Sequence, residues 1–154
     1  MRHLLPVVFA ASLAACSSLT GARDMGGSSD FESDTSATDL RVREDRARAG
    51  LGKIESSLAD FVKTEKKIPA RLEELIPKYL AELPTLSLPT CGRDTDRVEP
   101  YGPEILRGGQ VDGSRIKGTG RWGYVYNDGR VVVFVDCVKP STRGVPWYQE
   151  RGAY

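Results

Sequence analysis

Apolar residues recur at helical spacing between residues 51 and 62, and polar or charged residues fill most of the positions between them. This spacing predicts an amphipathic helix with one buried face. Thr38 or Asp39 can cap its start, and Pro69 stops it. We expect the charged stretch 40–48 to be solvated or frayed. The predicted face comprises Leu51, Ile54, Leu58, Phe61 and Val62.

Two glycines, Gly50 and Gly52, interrupt this helical pattern. Each weakens a helix by roughly 1 kcal/mol relative to alanine, so they indicate a bend or a close backbone approach. A shorter apolar pattern follows at residues 72–80 and is interrupted by Pro77. It predicts a second, short helix.

Near the C-terminus, two runs rich in aromatic and β-branched residues, 122–126 and 130–135, flank the turn Asn127-Asp128-Gly129. They predict a β-hairpin. Its second run is apolar at every position from 131 to 135, so we expect a central strand covered on one face by the long helix. Residues 90–120 are irregular and rich in glycine. Within them, only residues 114–117 have a pattern that could form a short strand. Together the pattern predicts an α+β domain with both helices packed on a small antiparallel sheet.

The first sixteen residues form a separate pattern. A basic start precedes an apolar run at 4–13, the small residues Ala14 and Ala15, and Cys16. The run is shorter than the roughly 20 residues that cross a bilayer, and the order is typical of an export signal. An ordinary secretory peptide is the alternative, but Leu13-Ala14-Ala15-Cys16 resembles the bacterial lipobox at all four positions.

The lipobox resemblance implies cleavage before Cys16 and lipid on its thiol and new amino group. It thereby implies anchoring to a bacterial membrane. Ser17 rather than aspartate favours the outer membrane, facing the periplasm or the cell surface. We therefore expect a signal peptide at 1–15, the lipidated cysteine with a flexible tether at 16–39, and a domain at 40–154. The tether should be flexible because its Ser-, Thr- and Gly-rich sequence buries little apolar surface.

Removal of residues 1–15 leaves two cysteines besides Cys16, namely Cys91 and Cys137. In an exported protein such a pair favours one disulfide, with two free thiols or a metal site as alternatives. The cleavage also removes His3, the single histidine of the chain. Histidine-dependent triads and zinc sites are thereby excluded from the mature protein. With 22 Lys+Arg against 21 Asp+Glu, the chain shows no basic excess that would indicate nucleic acid.

Two further stretches carry a family resemblance. Lys67-Ile68-Pro69-x-x-Leu72-x-x-Leu75-Ile76-Pro77 and Trp122-Gly123-Tyr124-x-Tyr126-Asn127 resemble the globular head of type IV pilins and type II secretion pseudopilins. The resemblance spans about residues 50–137 and implies a helical spine, a short linking segment and a hairpin. It also matches Cys91 and Cys137 to the C-terminal disulfide loop of many pilins. Where a pilin carries its long apolar N-terminal helix, this chain carries a lipobox and a polar tether.

Two candidate sites remain. Asp94, Asp96 and Glu99 form an acidic loop of the kind that calcium prefers, and some pseudopilins bind calcium in the corresponding region; Arg93 and Arg97 offset its charge. Trp147 and Tyr148 either form a platform for a partner, since such rings are enriched at interfaces, or fold back over the sheet.

The sequence thus favours a non-catalytic, lipid-anchored envelope protein that acts as an interaction or structural module. It is expected to bind the membrane through Cys16 and to have protein partners, with no cofactor and no nucleic acid. A secretion or pilus system is suggested by fold analogy alone. The alternative is a module that binds an envelope glycan through Trp147, Tyr148 and the 92–118 loop. A hydrolase would require a pocket with paired carboxylates.

Overall fold

The computed structural model describes residues 28–127 and 129–152, with side chains from residue 34 onward except at residue 127. The predicted signal peptide and Cys16 lie outside the described residues. The described part combines one long helix, two small sheets and three 3-10 turns. The helix and strands are α1 (Ser28–Glu65), β1 (Val98–Tyr101), β2 (Leu106–Arg107), β3 (Gln110–Val111), β4 (Trp122–Asn127) and β5 (Arg130–Val135). The 3-10 turns are Leu72–Leu75, Pro103–Ile105 and Trp147–Gln149.

The fold is α+β, and its main sheet has the order β1-β4-β5. β4 and β5 form the predicted antiparallel hairpin, with Trp122 opposite Val135. The expectation of a purely antiparallel sheet is wrong, because β1 pairs parallel to β4, with Val98 opposite Trp122. Parallel pairing requires a crossover of a dozen or more residues, and residues 102–121 provide it; they include the small β2-β3 sheet instead of a strand at 114–117.

The helix packs on one face of the main sheet as the periodicity predicts. Leu51, Ile54, Leu58 and Phe61 are each at most 5 % exposed. They form one core with the side of β5 that carries Val133 and Val135, and half-buried Val131 packs against this core.

A second, smaller core explains why β5 is apolar on both sides. Phe134 and Val125 pack on the opposite face of the sheet against Ile105 and Val111. The expectation that β5 is the central strand is therefore wrong: β4 is central, and β5 lies at an edge. Two covered faces produce a continuous apolar run whether or not the strand is central.

The helix begins at Ser28, upstream of the predicted start and inside the predicted tether. Thr38 does not cap it; its hydroxyl donates to the Asp34 carbonyl oxygen at 2.9 Å. Such bonding to the preceding turn lets a short polar side chain remain within a helix. Asp39 and Arg43 add an ion pair one turn apart. Part of the predicted tether is thus helical, and its residues 34–39 are exposed.

The second predicted helix is a single 3-10 turn, Leu72–Leu75, rather than 72–80. Pro77 supplies no N–H with which to continue it. Leu72 and Leu75 are nevertheless fully buried, as the apolar pattern predicts.

Gly50 and Gly52 mark close approaches of other segments to α1. A Cβ atom at Gly50 would lie 3.1 Å from the Pro84 Cβ and 3.5 Å from the Trp122 ring. A Cβ at Gly152 would overlap the Gly52 backbone, so the C-terminal segment crosses the helix there. The alternative of a close backbone approach is therefore the one observed.

Cys91 and Cys137 form the predicted disulfide, with their Cα atoms 5.7 Å apart. It ties the segment before β1 to the end of β5, across a sequence separation of 46 residues. No helix within residues 28–127 and 129–152 has an apolar stretch long enough to cross a membrane.

Candidate functional site

An apolar groove of about 640 Å³ lies between the C-terminal half of α1 and β5. Its helix wall contains Leu58, Ala59 and Val62, and its strand wall contains residues 131–133. Ala59 is exposed and presents its methyl group on the groove wall. The remaining lining residues are Glu55, Lys63, Gly109 and Arg151.

The strand beside this groove has an open edge. In an antiparallel pair, the backbone groups of successive residues point alternately toward and away from the partner strand. Just beyond β5, the Asp136 N–H donates to the Arg121 carbonyl oxygen at 2.9 Å, which fixes this alternation. Given the register of the hairpin, Val131 and Val133 direct their N–H and C=O groups away from β4.

The C-terminal segment covers the continuation of the same edge. The Tyr148 N–H donates to the Cys137 carbonyl oxygen at 3.2 Å, and the Trp147 N–H donates to that of Lys139 at 3.1 Å. These bonds lie beyond Val135, the last residue of β5. Among residues 28–127 and 129–152, no backbone segment pairs with the outward groups of Val131 and Val133, so the edge is closed after the strand and open beside these two residues.

The predicted aromatic platform is not formed as a pair. Trp147 is fully buried and belongs to the main core, so its ring presents no exposed face. Tyr148 is half-buried, packs on the second core and lines a separate small cleft with Gln110 of the 92–118 loop. The alternative that the rings fold back over the two faces of the sheet is the arrangement observed.

A buried ionic cluster holds the C-terminal segment on α1. The Arg48 guanidinium donates to Glu44 at 3.2 Å and to both carboxylate oxygens of Glu150 at 3.2 and 3.1 Å. Ser141 donates to Glu150 at 2.6 Å, and the Thr142 N–H donates to Glu44 at 2.8 Å. The cluster fixes the chain that closes the strand edge and that places Arg151 at the groove.

The ion pair between Arg48 and Glu150 shifts the pKa values of both groups. Burial alone would raise the pKa of Glu150, but the hydrogen bonds from Arg48 and Ser141 and the positive charge of Arg48 outweigh it, so the pKa lies below its usual value. Burial would lower the pKa of Arg48, but Glu150 and Glu44 raise it above its usual value. Both shifts favour the charged forms of Arg48 and Glu150 at neutral pH.

The expectation of a solvated stretch at 40–48 is wrong for Glu44 and Arg48, which are 2 % and 3 % exposed. Their spacing places them on one helix face with Ala47 and Leu51, which is itself buried. Extending the helical periodicity upstream from Leu51 therefore predicts that Glu44 and Arg48 face the core. Their third partner, Glu150, lies 102 residues from Arg48, and no local pattern indicates it.

The predicted calcium ligands do not converge. Asp94 accepts a hydrogen bond from Ser87 at 2.9 Å, and Asp96 is exposed. Glu99 forms ion pairs with Lys117 and with Arg121. Within the described residues, the acidic, histidine and cysteine side chains form no group of three that could hold a metal ion.

Comparisons of the chain with protein-family models, with curated proteins and with solved structures find no match. The residues of the groove themselves indicate what it can bind. Its walls are hydrocarbon side chains, which bind apolar groups through burial. The outward backbone groups of Val131 and Val133 add hydrogen-bonding capacity, and this combination suits binding of a peptide.

Proposed function

We propose that the protein is a non-catalytic, lipid-anchored envelope protein that acts as an interaction module, with the groove between α1 and β5 as its binding surface. The observation that carries the proposal is an apolar groove placed beside an open strand edge. Exposed strand edges are intrinsic templates for pairing, and proteins usually cover or shorten them. An edge left open next to an apolar wall favours a binding role.

The anchor belongs to the proposal through the lipobox resemblance of Leu13-Ala14-Ala15-Cys16. Several acyl chains, each contributing roughly 0.8 kcal/mol per buried CH₂, would make attachment long-lived. The exposed first turns of α1 after Asp34 support a spacer between the membrane and the groove. Lipid at Cys16 would then hold the groove near the membrane surface, within reach of an envelope partner.

An association with a secretion or pilus system is the finer part of the proposal. Its support is the order of elements: a helical spine, a short turn segment, a hairpin and a disulfide that closes the end of β5. This order is similar to that of pilin and pseudopilin heads. Because folds host many functions, the analogy suggests a setting for the groove and does not identify its partner.

Site-specific photo-crosslinking tests the binding role. A diazirine amino acid replaces Ala59, on the groove wall, in the full chain in membranes of its host; Ala70, exposed outside the groove lining, provides the matched control. We expect a defined envelope protein to be captured from position 59 and not from position 70. Equal capture at both positions, or none at position 59, would contradict the proposal.

A further inference from the structure

We propose that the groove binds an extended, acidic peptide segment of a partner protein, which pairs with β5 as an additional strand. The inference rests on the proposed function and specifies the partner's chemistry. It is carried by three features of the groove: backbone groups at its strand edge, hydrocarbon side chains on its helix wall, and cations around its rim.

The backbone groups define an extended ligand. Val131 and Val133 direct N–H and C=O groups away from β4, and an added strand lies about 4.8 Å from its neighbour. Beyond β5, the chain's own segment at 147–148 satisfies the carbonyls of Cys137 and Lys139 from that side. A partner strand beside Val131 and Val133 would continue the same pattern.

The side chains define an alternating ligand. Successive residues of a strand point to opposite faces, so every second side chain of the added strand would face α1. There it would meet Leu58, Ala59 and Val62, which form the hydrocarbon wall. Apolar residues at alternate positions fit this wall, and strand addition commonly combines main-chain bonds with such pockets.

The rim defines the charge of the ligand. Lys63 and Arg151 line the groove. Arg130, the first residue of β5, places its guanidinium beside the lining residue Gly109. None of the three forms an ion pair with another residue in the part of the chain that the structure describes. With Glu55 as the one acidic lining residue, the surface favours an acidic segment and disfavours a second copy of the same cationic edge.

Backbone and charge variants test the inference through the crosslinker at Ala59. Val131→Pro removes an outward N–H without removing a bond to β4, as proline permits at an edge strand; Val131→Ala keeps the N–H and is its control. We expect the proline variant to lower crosslinking at least about tenfold, because it loses a hydrogen bond and hinders pairing. Lys63→Glu should also lower the yield, whereas Lys53→Glu, exposed outside the groove lining, should not.

Only variants whose melting temperature equals that of the wild type are compared. The captured peptide is sequenced by mass spectrometry. An acidic segment with apolar residues at alternate positions would support the inference. Equal crosslinking of Val131→Pro and Val131→Ala would overturn strand addition while leaving the binding role of the groove intact. Capture of a second copy of this chain would overturn the acidic partner. No adduct from Ala59 in any background would overturn both proposals.

Discussion

Replacing Arg48 with methionine removes the cation that two buried carboxylates share. The side chains of Glu44 and Glu150 are 3 % and 7 % exposed, so water cannot take the place of the guanidinium without rearrangement. Removal of one partner from a buried ion pair typically costs about 3–5 kcal/mol. Against a total stability of roughly 5–15 kcal/mol, this loss is a large fraction of what holds the fold together.

Urea denaturation of the purified protein at pH 7 measures the effect. The matched control is Arg46→Met, because Arg46 is exposed on the same helix and should change stability by less than about 0.5 kcal/mol. Adding Glu44→Gln and Glu150→Gln to Arg48→Met should restore part of the loss, since no uncompensated buried charge remains. A loss below about 1 kcal/mol for Arg48→Met, in the range of exposed sites, would refute the buried cluster.

The same variant has a defined pH dependence. In the wild type the folded-state pKa of Glu150 is depressed, so its stabilisation is present at neutral pH and is lost as pH falls through that pKa. Without Arg48, burial dominates and raises the pKa of Glu150, so acidification favours folding of the variant at this site. The stability difference between the two proteins should therefore shrink between pH 7 and pH 4, and a constant difference would contradict the assigned charges.

Phe61→Ala should cost about 3–5 kcal/mol in the same denaturation assay, because the ring is buried in the main core and packs edge-on against Tyr79 at 5.2 Å. A loss below about 1 kcal/mol would mean that the helix does not pack this way. Replacing both Cys91 and Cys137 by serine should cost about 4 kcal/mol, from the entropy of the 46-residue loop, and unchanged stability on reduction would argue against the bond. Cys16→Ser should abolish palmitate labelling and leave the protein unprocessed or misplaced, whereas equal label in both proteins would exclude lipidation at this cysteine.

Regular periodicity allowed the main elements to be predicted. The face with Leu51, Ile54 and Leu58 and the hairpin 122–135 follow from local spacing, because each residue's neighbours in sequence determine its side of a helix or strand. Strand order did not follow, since β1 and the crossover lie in a glycine-rich segment without alternation. The bounds of α1 were also missed, because its first turns bury too little to leave an apolar pattern.

The groove could be predicted only in part. Leu58, Val62 and Val131 to Val133 belong to patterns that the sequence shows, but their separation into two walls depends on β5 being an edge strand. The buried ionic cluster of Glu44, Arg48 and Glu150 joins residues that lie far apart in sequence, so local spacing does not predict it. Trp147 illustrates the same limit, because an aromatic near the end of a chain gives no local indication of whether it is a core residue or a surface residue.

Amide hydrogen exchange along β5 in the purified full chain tests the central claim most directly. The N–H groups of Val132 and Phe134 point toward β4 and should be protected, whereas those of Val131 and Val133 should exchange at least about 100-fold faster if the edge is open. Addition of the captured partner should then protect Val131 and Val133 selectively. Slow exchange at Val131 and Val133 in the protein alone would show that the edge is already covered, and would contradict the account of the groove as a site for strand addition.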